Sequence, residues 1–180
     1  IEVRRPDDSL AETTYWLTVR PWLVINELLH DETTAWLGGF VELLGEPGAS
    51  TEGCAVSLVA DGAVVADVPL QHGEPAVPYV IDPLGYLVIA HDDMVPGVDA
   101  IQVQPNLVVD DPNGLYTTLV VQLRCYEALL DEVQYRGGAL PDQPGAALGR
   151  GFGISTGDAA RDFRPQLEAS PWFQNVSEVP

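Results

Sequence analysis

The sequence predicts an all-β protein made of antiparallel strands. Apolar and polar residues alternate with a period of two along much of the chain, which is typical of strands with one buried face. The alternating runs are short and end at Gly, Pro, Asp or Asn, the residues that favour turns. About eight runs fit into about 125 residues, and this spacing favours an antiparallel sandwich or barrel over alternating strands and helices.

The clearest element is a β-hairpin between Cys54 and Leu70. Its two alternating runs are joined by Asp61-Gly62, a dipeptide that suits a two-residue hairpin turn. A second clear strand is Thr117–Cys125, and the strong turn Asp111-Pro112-Asn113-Gly114 precedes it. The residues expected in the core are Val56, Leu58, Val64, Val68, Leu119, Val121 and Leu123.

Six weaker strands and two short helices complete the prediction. One helix is Tyr126–Tyr135, with Leu129, Leu130 and Val133 on one face. The other is Ala159–Phe163, which follows a Ser155-x-x-Asp158 sequence similar to a capping box. The weaker strands are Thr13–Val19, Trp22–Leu28, Ala35–Leu44, Val77–Ile81, Tyr86–Ala90 and Ala100–Val109.

The composition changes after Arg136. Gly and Pro are frequent from there to Ile154, so regular structure is not expected in this stretch. Apolar residues nevertheless recur as far as Val176, which a solvated linker would not need. We therefore predict an N-terminal arm (1–12), a β-sandwich (13–136) and an extended C-terminal arm (137–180) that docks on its own domain or on a neighbouring subunit.

The chain is strongly acidic. It has 27 acidic and 8 basic residues in 180, all the basic ones are Arg, and the formal net charge is −19. At molar salt the Debye length falls to about 3 Å, which screens repulsion between carboxylates. The composition is typical of a halophilic protein; an acidic protein of a high-GC bacterium or its phage is the alternative. A nucleic-acid partner is not expected because phosphate binding needs a basic surface. Nor does any window reach the ~18 apolar residues of a membrane-spanning helix.

The two cysteines, Cys54 and Cys125, leave three interpretations open. They are 71 positions apart and show no spacing typical of a metal site. They could be buried thiols, an intrachain disulfide between neighbouring strands, or a link to a partner chain.

No residue pattern predicts an enzyme, and no cofactor is expected. His30, His72 and His91 fall in predicted turns, without the spacing of a metal-binding motif, and no Gly-x-Ser-x-Gly elbow is present. Loose cation binding is a weaker alternative to solvated acidic loops. The carboxylates that would bind the cation are Asp92, Asp93, Asp110 and Asp111.

Large aromatic residues point to an interaction surface. Trp16 faces away from its neighbours Tyr15 and Leu17 on a predicted strand, so one of these two faces needs cover outside a simple sandwich. A protein–protein contact and a carbohydrate-binding platform both provide such cover, and core packing is expected for at least two of the four Trp residues. The predicted interface residues are Trp16, Phe152, Trp172 and Phe173.

The general plan from Thr13 to Val176 resembles the smaller major capsid protein of icosahedral haloarchaeal viruses with an internal membrane. The resemblance lies in an eight-stranded antiparallel domain, a Lys-free acidic surface, a short N-terminal arm and a long anchored C-terminal arm. It implies a single jelly roll that assembles with copies of itself and with a second, larger capsid protein. It also implies location in the virion shell, near an internal membrane, and that Cys54 or Cys125 could form an interchain link.

Two other functions remain as alternatives. The first is a secreted halophilic module that binds carbohydrate or another ligand through exposed Trp residues. The second is a cupin-like enzyme, which the missing His pattern disfavours.

Overall fold

The computed structural model describes residues 2–4, 10–12, 22–29, 39–90, 115–140, 147–151 and 156–166. These residues confirm the all-β class and the antiparallel sheets. They form thirteen strands rather than about eight, and their two larger sheets do not close into a barrel. The strands are β1 Glu2–Arg4, β2 Leu10–Glu12, β3 Leu23–Leu29, β4 Phe40–Gly45, β5 Cys54–Ala60, β6 Ala63–Pro69, β7 Gln71–His72, β8 Val77–Pro78, β9 Tyr86–Ala90, β10 Leu119–Cys125, β11 Ala128–Arg136, β12 Ala147–Arg150 and β13 Phe163–Pro165, and the helix α1 is Ala159–Asp162.

The strands form two larger sheets and two small ribbons. One sheet has four strands in the order β11-β10-β5-β6, and the other has five in the order β13-β12-β3-β4-β9. β1 pairs with β2 within the segment predicted as an N-terminal arm, and β7 pairs with β8. All the strand pairs are antiparallel.

The core lies between the two larger sheets. Its side chains come from both of them, so the sheets pack face to face as a sandwich. The core residues from the four-stranded sheet include Val56, Leu58, Val68, Leu119, Val121, Leu123, Val133 and Tyr135. The core residues from the five-stranded sheet include Leu23, Ile25, Leu28, Val41, Leu43, Leu87, Ile89, Leu148 and Phe163.

The predicted hairpin at Cys54 is confirmed, except for the position of Val64. β5 and β6 pair across the Asp61-Gly62 turn, but the register shifts between Leu58 and Val59, so Val65 is an extra residue in β6. A bulge of one residue moves the following side chains to the opposite face. Val64 therefore faces solvent, with 60% of its surface exposed, instead of the core.

The predicted helix Tyr126–Tyr135 is wrong. Most of this segment is β11, which pairs with β10 through a two-residue turn at Tyr126 and Glu127. Both turn residues have positive φ angles, 47° and 66°, as a tight hairpin turn of this type requires. The short helix after Asp158 does form, but Asp158 is its N-cap, and its carboxylate accepts a hydrogen bond from the Ala160 N–H.

One strand, β12, lies in the Gly- and Pro-rich stretch between Arg136 and Ile154, where regular structure was not expected, and a second strand, β13, lies beyond that stretch. β12 pairs with β3, and β13 pairs with β12, so both extend the five-stranded sheet of the same chain. The weaker strand Val77–Ile81 is reduced to β8 and a single bridge between Ser50 and Val80. The predicted strands Thr13–Val19 and Ala100–Val109 lie outside the described residues.

Candidate functional site

The largest group of interacting charges in the described residues is centred on Arg150, at the end of β12. Its side chain is 3% exposed and lies between two carboxylates. Nη1 donates to Asp162 Oδ2 at 2.8 Å, and Nη2 donates to Asp131 Oδ2. The guanidinium also lies over the Phe163 ring, 4.6 Å from its centroid. We call Arg150, Asp131 and Asp162 the ionic cluster.

The ionic cluster completes the hydrogen bonding of β3 where β12 ends. β12 pairs with β3 from Leu29 to Glu27, and Ile25 lies beyond the last of these pairs. The N–H of Ile25 donates to Asp131 Oδ2 at 2.8 Å, and its C=O accepts from Arg150 Nε at 2.8 Å. Two side chains thus substitute for a neighbouring strand. Since Asp131 belongs to β11, the cluster also fastens the two sheets to each other.

Asp162 joins the cluster to the short helix. Its carboxylate accepts hydrogen bonds from the N–H and the hydroxyl of Thr156, at 2.8 and 2.7 Å. Burial opposes the charge of Asp162, but the Thr156 hydrogen bonds and Arg150 outweigh it and lower the pKa of this carboxyl. The pKa of Asp131 moves in the other direction: burial raises it, although Arg150 and the Ile25 N–H act against the rise.

A second buried polar group lies on the opposite face of the five-stranded sheet. Glu27 and Glu42 are register partners on β3 and β4, and both are 0% exposed. Asn26 is an extra residue in β3, and its Nδ2 donates to Glu42 Oε1 at 2.6 Å. Nearby Tyr86 has a raised pKa because of its burial and the negative charges of Glu42, Asp82 and Glu27.

The third feature is one end of the sandwich, where β4 ends and β5 and β9 begin. We call this region the end platform: Trp22, residues 46–53 and 70–85, and the turn residues Tyr126 and Glu127. Its loops are bonded to one another. Examples are Thr51 N–H to the C=O of Tyr79 at 3.0 Å and Thr51 Oγ1 to the C=O of Leu70 at 2.6 Å.

The disulfide holds this same end together. Cys54 and Cys125 are bonded to each other across β5 and β10, so in this structure neither links to a partner chain. The N–H of Tyr126 donates to the C=O of Gly53 at 2.7 Å. A Cβ at Gly53 would lie 2.5 Å from the Tyr126 ring, so only glycine accommodates the ring there.

The end platform exposes apolar side chains despite its dense internal bonding. In the segment from Val77 to Ile81, Tyr79 and Ile81 are buried while Val77 and Val80 are exposed. Loops held rigidly at the end of a sandwich are suited to binding, because little ordering entropy is lost. The exposed apolar residues of the platform are Trp22, Val77, Val80, Leu84 and Tyr126.

An open groove of about 280 Å³ lies between β11 and α1. Glu132 and Asp158 lie on its walls, together with Gln134, Leu140 and several Ala and Gly residues. In the described part of the chain, no group of three or more His, Cys, Asp or Glu side chains could hold a metal ion.

Most of the predicted site residues lie outside the described residues. This is true of the interface residues Trp16, Phe152, Trp172 and Phe173 and of the carboxylates Asp92, Asp93, Asp110 and Asp111. His72 is described, and its ring stacks on Tyr79 with centroids 5.2 Å apart. Trp22 is the described member of the four Trp residues, and it is 55% exposed.

Sequence reasoning missed the ionic cluster. A signal was present for Asp131, because it alternates in phase with Val133 and Tyr135 and so belongs to the inner face of β11. The helical interpretation of this segment concealed that phase. No comparable local signal marks Arg150, which follows Ala-Leu-Gly in a glycine-rich stretch.

Comparisons of the chain with protein-family models, curated proteins and solved structures found no match. Within the described part of the chain, no helix has the length and hydropathy needed to span a bilayer.

Proposed function

We propose that this protein is a structural subunit of a virion shell, a capsid protein of the single jelly-roll type that assembles through contacts between copies. The observation that carries the proposal is the end platform, where exposed apolar side chains lie on loops fixed by hydrogen bonds and a disulfide. Exposed apolar groups collected on a rigid surface are typical of protein–protein contacts.

Two further properties support this function. Disulfides persist in oxidising surroundings such as virion surfaces and the cell exterior, which fits the Cys54–Cys125 bond. A net charge of −19 without Lys fits a particle that is stable at high salt, because screening removes the repulsion between neighbouring subunits.

Sedimentation velocity across a salt series, followed by electron microscopy of any large species, tests the proposal. We expect association at molar salt and dissociation near 0.1 M, where the Debye length grows to about 10 Å. A chain that stays monomeric at every salt and protein concentration would contradict it. Full thermal stability of an assembly at about 0.1 M salt would remove the halophilic interpretation.

A secreted carbohydrate-binding module is the second candidate, and the exposure of two aromatic rings favours it. Trp22 and Tyr126 are 55% and 46% exposed on the same platform. Flat rings of this kind offer an apolar face with a polar edge to a ligand. Titration with oligosaccharides, followed by Trp fluorescence, distinguishes the two functions. Binding by a monomer that is lost in Trp22→Ser would favour the module.

A further inference from the structure

The end platform carries acidic side chains around its exposed apolar residues. Four carboxylate side chains are exposed there: those of Glu46, Glu52, Glu74 and Glu127. Within the described residues none of the four side chains makes a hydrogen bond or an ion pair, and the nearby Arg124 guanidinium donates to the backbone C=O of Glu127 rather than to its carboxylate. A partner that covers the platform must therefore bring positive charge to its rim.

The described chain has a basic surface in a different place. Arg161 in α1 and Arg164 in β13 are exposed, and we call them the basic patch. The Arg164 guanidinium donates from Nη1 to the carbonyls of Ala160 and Phe163. The Arg161 side chain has no hydrogen bond or ion pair within the described residues. An exposed arginine without a carboxylate partner is unexpected in a chain with 27 acidic residues.

We propose that the end platform of one copy binds the basic patch of a second copy. This inference rests on the proposed function and identifies the surfaces that assemble. Contact between two end platforms would oppose carboxylates to carboxylates, which is unfavourable. Contact between the platform and the patch pairs opposite charges around an apolar centre.

The positions of the two surfaces determine the kind of assembly. The basic patch lies at the β13 edge of the five-stranded sheet, whereas the end platform lies where β4 ends and β5 begins. The two surfaces do not overlap, so one copy can use both at once. Such heterologous contacts produce closed rings, or filaments when the rotation does not close. A ring of this kind is what a capsomer requires.

Charge reversal tests the contact in the full chain. We expect Arg161→Glu combined with Arg164→Glu to weaken self-association about tenfold or more at the lowest salt concentration at which wild type still associates, with a smaller effect at about 1 M. Glu127→Arg should also weaken it. Asp67→Arg is the matched control, because it makes the same charge change at an exposed position of β6, the edge strand of the four-stranded sheet farthest from β11, outside both the platform and the basic patch, and it should leave association at the wild-type level.

The decisive variant combines both reversals. Glu52→Arg and Glu127→Arg, placed together with Arg161→Glu and Arg164→Glu, restore opposite charges across the contact and should recover association to within about threefold of wild type. Circular dichroism checks that each variant is folded. Arg161→Gln replaces the double Arg variant if that one unfolds, and we expect it to weaken association in the same direction.

The outcomes separate this inference from the proposed function. If wild type associates and neither reversal weakens it, or if the combined variant fails to recover, the platform–patch contact is wrong and the assembly function stands. If wild type is monomeric under all conditions, the assembly function itself fails.

Discussion

The four-stranded and five-stranded sheets differ in what their strands bury. In β10 of the four-stranded sheet, buried residues alternate with half-buried ones, and the buried set is apolar. In β3 and β9 of the five-stranded sheet every residue is buried. The first sheet has one face against the core and one nearer solvent, whereas strands of the second are covered on both faces.

This difference decides where charge enters the fold. A strand that is buried on both faces has no solvent-exposed face for polar side chains. The polar side chains of such a strand must therefore find hydrogen-bond or ion-pair partners inside the protein. Arg150 of β12 finds them in Asp131 and Asp162. In the four-stranded sheet a disulfide makes the cross-strand link instead. The four-stranded sheet thus has a covalent bond between two of its strands, whereas the ion pairs of Arg150 join the five-stranded sheet to β11 of the other sheet and to α1.

The largest expected effect comes from removing the central charge of the ionic cluster. Arg150→Met leaves the partly buried Asp131 and the buried Asp162 without their cation, and we expect a loss of about 3–5 kcal/mol in the free energy of unfolding. Urea denaturation at pH 7 measures it. Arg164→Met on neighbouring β13 is the control, and its exposed side chain should change stability by less than about 0.5 kcal/mol. Equal losses in the two variants would show that burial of the charge is not what matters.

Loss of the disulfide should have the next largest effect. We expect Cys54→Ala combined with Cys125→Ala to lose about 2–4 kcal/mol, mainly because the unfolded chain regains freedom. The wild-type protein should lose a similar amount under reducing conditions. The sheets should persist, since β5 and β10 are also joined by their backbone ladder. A far-UV spectrum that loses its β signal in the double variant would contradict this.

The two carboxylates of the ionic cluster should change the pH dependence of stability in opposite directions. The lowered pKa of Asp162 gives stability that is present above the unfolded pKa of 3.8 and is lost as the pH falls through the folded pKa. The raised pKa of Asp131 means that the folded state holds the proton more tightly, so its contribution falls as the pH rises from 3.8 through the folded pKa.

Urea denaturation from about pH 3 to pH 7 measures both effects. Asp162→Asn should flatten the loss of stability at acid pH. Asp131→Asn should remove the contribution of Asp131 that falls as the pH rises above 3.8, so stability should fall less, or rise more, over this range than in wild type. The account of the cluster is wrong if both variants shift the profile in the same direction.

The smallest effect tests the bulge in β6. Val64→Ser changes an exposed side chain and should alter stability by less than about 0.5 kcal/mol. Val68→Ser places a hydroxyl in the core and should cost about 1–3 kcal/mol. Comparable losses at the two positions would mean that Val64 faces the core and that the register has no bulge.

The sequence predicts the four-stranded sheet better than the five-stranded one. Strands β5, β6 and β10 were predicted because apolar and polar residues alternate in strands that have one face towards solvent, and because the Asp61-Gly62 turn is distinctive. Strand β11 was mistaken for a helix, because the extra residue Leu130 breaks its alternation and its Tyr-Glu turn lacks glycine. Strand β12 was missed because Ala and Gly give no pattern to follow.

The ionic cluster could not be predicted because its members are far apart in the chain. Ile25, Asp131, Arg150 and Asp162 meet only after β12 pairs with β3 and the two sheets pack together. Local propensity carries no information about such contacts. The extra residue Asn26 interrupts the period-two pattern of β3, which local sequence also fails to reveal. Because of it, both Ile25 and Leu28 lie in the core although they are three positions apart.

Hydrogen exchange of the β12 amides tests most directly the claim that this strand, which lies beyond Arg136, belongs to the sandwich. The structure pairs β12 with β3 and fixes it through Arg150. We therefore predict that peptides covering residues 147–150 exchange as slowly as those covering β10, and that Arg150→Met makes them exchange faster. Exchange in β12 as fast as in the exposed turn at Asp61-Gly62 would show instead that this segment is an arm outside the fold.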